Sequence, residues 1–227
     1  MSKRGETICT VLGPIAFVFF GIGFLPLAHF LPPPDPSSSA AEIAAIYQGN
    51  TIGIRLGTAL VMVGASLFAP FFAMITVIMK RIEGPRAPYA WTQAISATIV
   101  VSCFFLAPMF MTMTAFRPER APELTQLMND MSWILMVTPG APGTVQTIAI
   151  GFAILQDRRT VPLLPRWFGY LSLFAAVLYL PADLAIMFKT GPFAWNGLFA
   201  FWLPFVIGGM WSNLICYLML KANARTD

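Results

Sequence analysis

Apolar residues run along this chain in long blocks separated by short polar connections, at about 7 to 31, 52 to 79, 90 to 115, 132 to 155, 168 to 188 and 198 to 220. Each block reaches the roughly 20 residues that a helix needs to cross about 30 Å of hydrocarbon. Runs this long, without strict alternation, predict membrane-spanning helices and not strands. The expected fold class is an all-α membrane protein: a six-transmembrane-helix bundle that makes the chain one integral membrane domain. The first block follows Lys3-Arg4, and Ser39-Ala40-Ala41 resembles cleavage chemistry. The run is far longer than the roughly 7 to 15 apolar residues of a signal peptide, so it reads as a retained span.

The polar connections orient the bundle. One side collects Lys3, Arg4, Lys80, Arg81, Arg86, Arg158, Arg159, Arg166, Lys221 and Arg225, whereas the other has only Arg55, Arg117, Arg120 and Lys189. The positive-inside rule then puts both termini in the cytoplasm of a multi-pass cell-membrane protein. Tyr89, Trp91, Trp167 and Tyr170 fall at the inner interface and Trp133 and Trp195 at the outer one, where aromatic belts form.

Two outer connections carry structure of their own. Ser39 and Glu42 have the spacing of a capping box, which predicts a short helix from about Ala40 with Ile43, Ile46 and Tyr47 on one face. Pro122, Leu124, Leu127 and Met128 predict a turn or two of helix in the second. Both are expected on the outer membrane surface.

The fourth block contains a stretch out of keeping with a span, Thr138-Pro-Gly-Ala-Pro-Gly-Thr144. Pro139 and Pro142 remove two amide donors and clash with the preceding turn, so the helix should break near Pro139 to Gly143. A short outer piece and a longer inner piece starting near Gly143 are expected. Backbone groups freed at membrane depth must be buried against protein or line a wet cavity. The outward-facing amide end of the inner piece should attract a carboxylate or another anion.

Composition narrows the function classes. With 57% hydrophobic and 11% charged residues among 227, the chain has more apolar surface than one soluble core could hide. The net charge of +4 is dispersed in short clusters, which argues against a nucleic-acid partner. Cys9, Cys103 and Cys216 are far apart and form no C-x-x-C pair. A single histidine leaves too few ligands for bis-histidine haem or H-E-x-x-H zinc chemistry, and no Walker A, G-x-G-x-x-G or G-x-S-x-G motif occurs. No cofactor is expected; membrane lipid and a lipophilic small molecule are the expected partners.

Candidate chemistry concentrates at one depth. Asp183 is the only acid well inside a span, about 8 Å below the outer end at 1.5 Å per residue. Such a carboxylate must be protonated, paired or beside a wet cavity. Arg55 enters the second span at comparable depth, His29 closes the first, and Thr112 lies near the outer end of the third. Pro139 is about 9 Å deep on the same scale, which places Pro139, Gly140, Pro142, Gly143 and Gln146 at the same level.

These residues predict an outer-half pocket for a lipophilic or weakly anionic small molecule, which the protein binds or transports, with Asp183, Arg55 and the broken fourth span as its polar floor. A second reading is a cofactor-free membrane isomerase or cyclase on an isoprenoid, sterol or lipid, with Asp183 as general acid or base and His29 as a further catalytic candidate. A third is a structural or accessory subunit. Gly53 and Gly57 form a G-x-x-x-G that suits close packing within the bundle or between two copies in a homo-oligomer. Proline after an aromatic-rich triplet recurs as GFLP, LFAP, FLAP, LYLP and FWLP, as an inverted repeat or plain proline kinks would leave it.

Overall fold

The computed structural model describes residues 3–224; Arg225, counted above on the basic inner side, lies outside them. The described chain is helical throughout: α1 (Lys3–Ile22), α2 (Ala40–Gly49), α3 (Thr51–Glu83), α4 (Pro88–Phe116), α5 (Pro122–Val137), α6 (Gly140–Leu155), α7 (Arg166–Tyr179) and α8 (Leu203–Ala224). Three shorter pieces have other geometry. A π-helical turn (Gly23–Leu27) extends α1, a 3-10 segment (Leu180–Met187) extends α7, and a second π-helical turn (Leu198–Trp202) leads into α8. With these extensions, five helices are long and apolar enough to cross a membrane: Lys3–Leu27, Thr51–Glu83, Pro88–Phe116, Arg166–Met187 and Leu198–Ala224.

The block at 132 to 155 is not one helix. Its first residues belong to α5, which starts ten residues earlier at Pro122 and absorbs the turn expected around Leu124 to Met128. Pro122 occupies a first-turn position, where its missing amide costs nothing. The outer piece is therefore not short: α5 and α6 have 16 residues each.

Helix neighbours close into a ring in the order α1, α3, α4, α6, α7, α8 and back to α1, with α5 packed on α4 and on α2. Helix α3 shows why. Ile54, Val61, Phe68 and Ile75 recur at seven-residue spacing and are all buried, which gives the helix one continuous apolar stripe toward its neighbours. Small residues let backbones meet at the seams. A Cβ on Gly13 would strike the Phe71 ring at 2.6 Å, and one on Gly151 would meet the Gly169 carbonyl oxygen at 3.0 Å. Edge-to-face contacts join Phe17, Phe20 and Phe104 to Phe68 or to one another across the α1, α3 and α4 seam.

Both ends of the ring are tied by polar groups. At the end holding the α3 to α4 turn, the Glu83 carboxylate accepts from the Tyr89 and Ala90 amides at 2.8 Å and caps α4. Nearby, Arg81 donates to Glu6, and Arg159 donates to the Arg81 carbonyl. At the opposite end, the capping box of α2 forms in both directions, with Ser39 Oγ accepting from the Glu42 amide and Glu42 accepting from the Ser39 amide at 2.7 Å. Helix α2 lies against α5, where Ile43 and Tyr47 are buried and Tyr47 donates to Asn129 at 3.3 Å. It covers protein with that face, and only Ile46 of the three apolar positions is exposed.

The aromatic residues divide by end. Trp91, Trp167 and Tyr170 are exposed on the outside of the bundle, as belt residues would be. Trp133 and Trp195 are buried instead: Trp133 packs among Phe24, Phe30 and Phe201, and Trp195 Nε1 donates to the Pro34 carbonyl at 2.8 Å. Expected as outer interface markers, they are interior packing residues.

Candidate cavity inside the helix ring

The interruption between α5 and α6 is built so that few backbone groups are stranded. Thr138 ends α5 by donating twice to the Ile134 carbonyl, from its amide at 2.9 Å and its hydroxyl at 2.7 Å. Helix α6 begins at Gly140, three residues before the expected Gly143. A helix leaves its first four amides without intrahelical acceptors. Here those positions are Pro139, Gly140, Ala141 and Pro142, and two of them carry no N–H. Pro142 therefore starts the helix instead of delaying it. The Ala141 amide faces the Asp183 carboxylate, which reaches the start of α6 from the 3-10 segment after α7. Close approach requires a glycine at the first position: a Cβ on Gly140 would lie 2.6 Å from the Tyr179 carbonyl oxygen and 2.8 Å from Asp183 Oδ2.

Beside this junction, inside the ring, lies a cavity of about 190 Å³. Pro139, Gly140, Gly143, Gln146 and Thr147 form its wall on the α6 side. Phe17, Phe20, Phe24, Phe68, Phe72 and Phe104 line it from α1, α3 and α4, and Tyr179, Phe201, Phe205, Gly208, Trp211 and Ser212 from α7 and α8. Among the described residues, no charged side chain lines it. The irregular segments contribute Phe24, Ala182, Ala200 and Phe201, so the space opens where the helices depart from α geometry. Phe68 and Phe72 are near the middle of α3, so the cavity reaches deeper than the outer-half level inferred from sequence.

Two of the polar side chains in the wall are committed elsewhere: Thr147 donates to the Gly143 carbonyl at 2.9 Å, and Trp211 Nε1 donates to Ser172 at 3.0 Å. Among the described residues, Tyr179, Ser212 and Gln146 have no side-chain hydrogen bond there, and Gln146 is the one with a fully buried donor. The residue is 4% exposed, and its Nε2 is buried with no hydrogen-bond partner.

Of the residues singled out from sequence, the structure brings Pro139, Gly140, Gly143 and Gln146 together on the cavity wall and leaves the others outside it. Pro142 is in the first turn of α6 but off the lining. Asp183 caps α6. Arg55 is exposed, with its guanidinium 5.3 Å from the centre of the Phe116 ring, and makes no ion pair with Asp183 among the described residues. Thr112 pairs with Thr58 across the α3 to α4 seam, hydroxyl to hydroxyl at 2.6 Å. His29 is exposed in a shallow depression with Pro32, Pro34 and Asn50. The polar floor expected from Asp183 and Arg55 is thus not assembled.

The glycine pair, offered above for packing within the bundle or between copies, packs within the chain. A Cβ on Gly57 would run into the Gly23 carbonyl oxygen, and one on Gly53 into Leu27 O and Asn50. Tyr179, Phe201, Gly208 and Ser212 were missed as cavity residues. A signal for the first two existed, since LYLP and FWLP mark the proline-linked irregular segments of α7 and α8.

The chain matches no protein-family model, no curated protein and no solved structure.

Proposed function

We propose that this is a six-crossing membrane protein, with α5 and α6 together making the broken fourth crossing and both termini on the cytoplasmic side, that binds or transports a lipophilic small molecule inside its helix ring. The observation that carries the reading is the cavity itself: phenylalanine-lined, free of charged side chains, and at mid-length of helices apolar enough to cross a membrane. A weakly anionic ligand loses its support, because among the described residues no cation lines the cavity to offset the cost of taking a charge out of water. The enzyme reading loses its acid, since Asp183 is at the start of α6 and off the wall.

The test is to fill the cavity without disturbing the seams. A Cβ on Gly143 meets only Tyr179 Cδ2 at 3.7 Å, and one on Gly208 only the Tyr179 hydroxyl at 3.5 Å. Leucine at either position should extend into the cavity. Protein purified in gentle detergent should carry a lipophile detectable by native mass spectrometry at near-stoichiometric amount, and Gly143→Leu with Gly208→Leu should remove it while the protein still melts cooperatively. Equal, substoichiometric lipid in both proteins would reject the reading.

A further inference from the structure

Resting on that reading, we propose that the cavity selects a neutral lipophile bearing an oxygen acceptor, such as a ketone, quinone or ester carbonyl, and that the side-chain amide of Gln146 recognises this oxygen.

Two independent features lead to this class. The first is the wall, in which rings and aliphatic groups surround the space and no charged side chain takes part among the described residues. An ionised headgroup placed there would be desolvated without a counter-charge. The second is Gln146. A primary amide buried in apolar surroundings is held at a free-energy cost unless its donors are used. The other polar groups of α6 show how readily the fold satisfies such groups: Thr144 donates to the Ala176 carbonyl across the α6 to α7 seam, and Thr147 to its own helix. Gln146 Nε2 has no such acceptor, yet the residue is on the cavity wall. Nε2 itself is sealed from the space, and a half-turn of the amide about its terminal bond would turn it toward the cavity, where Gly143, one turn earlier, leaves the wall without a side chain.

An unsatisfied donor beside a cavity favours a ligand that brings an acceptor. A pure hydrocarbon would fill the space and leave the amide unsatisfied, whereas a carbonyl oxygen would accept from Nε2 while the rest of the molecule packs against the phenylalanines. Neutral donor-to-acceptor recognition of this kind is worth about tenfold in affinity.

The experiment uses the full chain in phosphatidylcholine nanodiscs with benzophenone as photoprobe, an aryl ketone that crosslinks to nearby C–H groups under ultraviolet light. Saturable crosslinking is expected in peptides containing residues 139 to 147 and 201 to 212. Undecane, 2-undecanone and undecanoate then compete at equal mole fraction in the bilayer. The ketone should compete about tenfold better than the alkane, and the carboxylate worse than the ketone. Gln146→Met, which preserves length and apolar bulk, should need about tenfold more benzophenone for the same crosslinking and abolish the advantage of the ketone over the alkane. If alkane and ketone compete equally in the unmodified protein, or if undecanoate competes best, the proposal is wrong while the lipophile-binding reading stands. If no saturable crosslinking occurs in those peptides, the underlying reading fails as well. The competition in the unmodified protein decides the matter even if Gln146→Met does not fold.

Discussion

Replacing Asp183 distinguishes a capping carboxylate from a reactive one. In the structure, it faces the Ala141 amide at the start of α6, in a turn where two of the four unsatisfied positions are proline. Asp183→Ala removes the acceptor. Loss of such a cap costs about 1 kcal/mol, within a range of about 0.5 to 2. The favourable interaction of a carboxylate with the helix N-terminus adds about 0.3 to 1 kcal/mol. The expected destabilisation is therefore about 1 to 2 kcal/mol, read as an earlier midpoint when the protein is unfolded by sodium dodecyl sulfate in mixed micelles and followed by circular dichroism. Asp183→Asn keeps an acceptor oxygen in the same place and loses only the charge. It should fall short of the alanine variant, within about 1 kcal/mol of the unmodified protein. Both variants should retain bound lipophile in proportion to the folded fraction. A folded Asp183→Asn protein stripped of its ligand, or one as unstable as the alanine variant, would refute the capping role.

Three further outcomes follow from contacts away from the cavity. In a double-mutant cycle of Thr58→Val and Thr112→Val, the hydroxyl pair should show a coupling of about 0.6 kcal/mol, the usual size of an interhelical hydrogen bond in a membrane bundle; additivity of the two changes would deny the bond. Gly57→Leu should cost about 1 to 3 kcal/mol by forcing α3 off the π-helical turn at Gly23, whereas Gly49→Ala, where a Cβ meets nothing within 4 Å, should be well tolerated. Unchanged stability with an altered oligomer size by light scattering would mean that the Gly57 face meets another copy instead. At α2, hydrogen bonds from the Ser39 amide and hydroxyl hold the Glu42 carboxyl below its usual 4.5. A depressed folded value stabilises the cap above the unfolded value and loses that contribution as pH falls through the folded one. Amide exchange at the start of α2, corrected for intrinsic rate, should therefore accelerate on acidification below 4.5, and Glu42→Gln should remove that dependence.

The membrane helices were legible because length and apolarity are summed over many residues, so an error at one position hardly matters. The α2 helix was legible for the opposite reason: Ser39 and Glu42 form a purely local device that requires no tertiary partner. The extent of α5 was not, because the polar residues of Pro122 to Asp130 look like a loop until α2 and α4 are there to cover them. The fate of Trp133 was hidden for a related reason. Its depth fits a belt residue, but its neighbours Phe24, Phe30 and Phe201 come from distant parts of the chain.

The candidate site shows what depth alone leaves out. Counting residues along a span gives height above the membrane centre and says nothing of direction around the helix axis. Arg55 precedes Phe68 by 13 residues on the unbroken α3, and at about 100° per residue it points about 140° away from a side chain that faces the cavity. Being level with Asp183 could not bring the two together. Asp183 itself follows the end of α7, in a 3-10 segment whose tighter winding resets the face that each residue presents. Within α6 the winding is regular. Gly140, Gly143 and Gln146 follow one another at three-residue steps of about 60° each, so once the helix is started at Gly140 they spread over about a third of its circumference, the part that lines the cavity. The proline-glycine stretch therefore pointed to the site through the helix it begins and not through the break it makes. The same reasoning shifts the polar recognition group from the acid to the amide. Asp183 is consumed in starting α6, and Gln146 is the group that the started helix carries into the cavity.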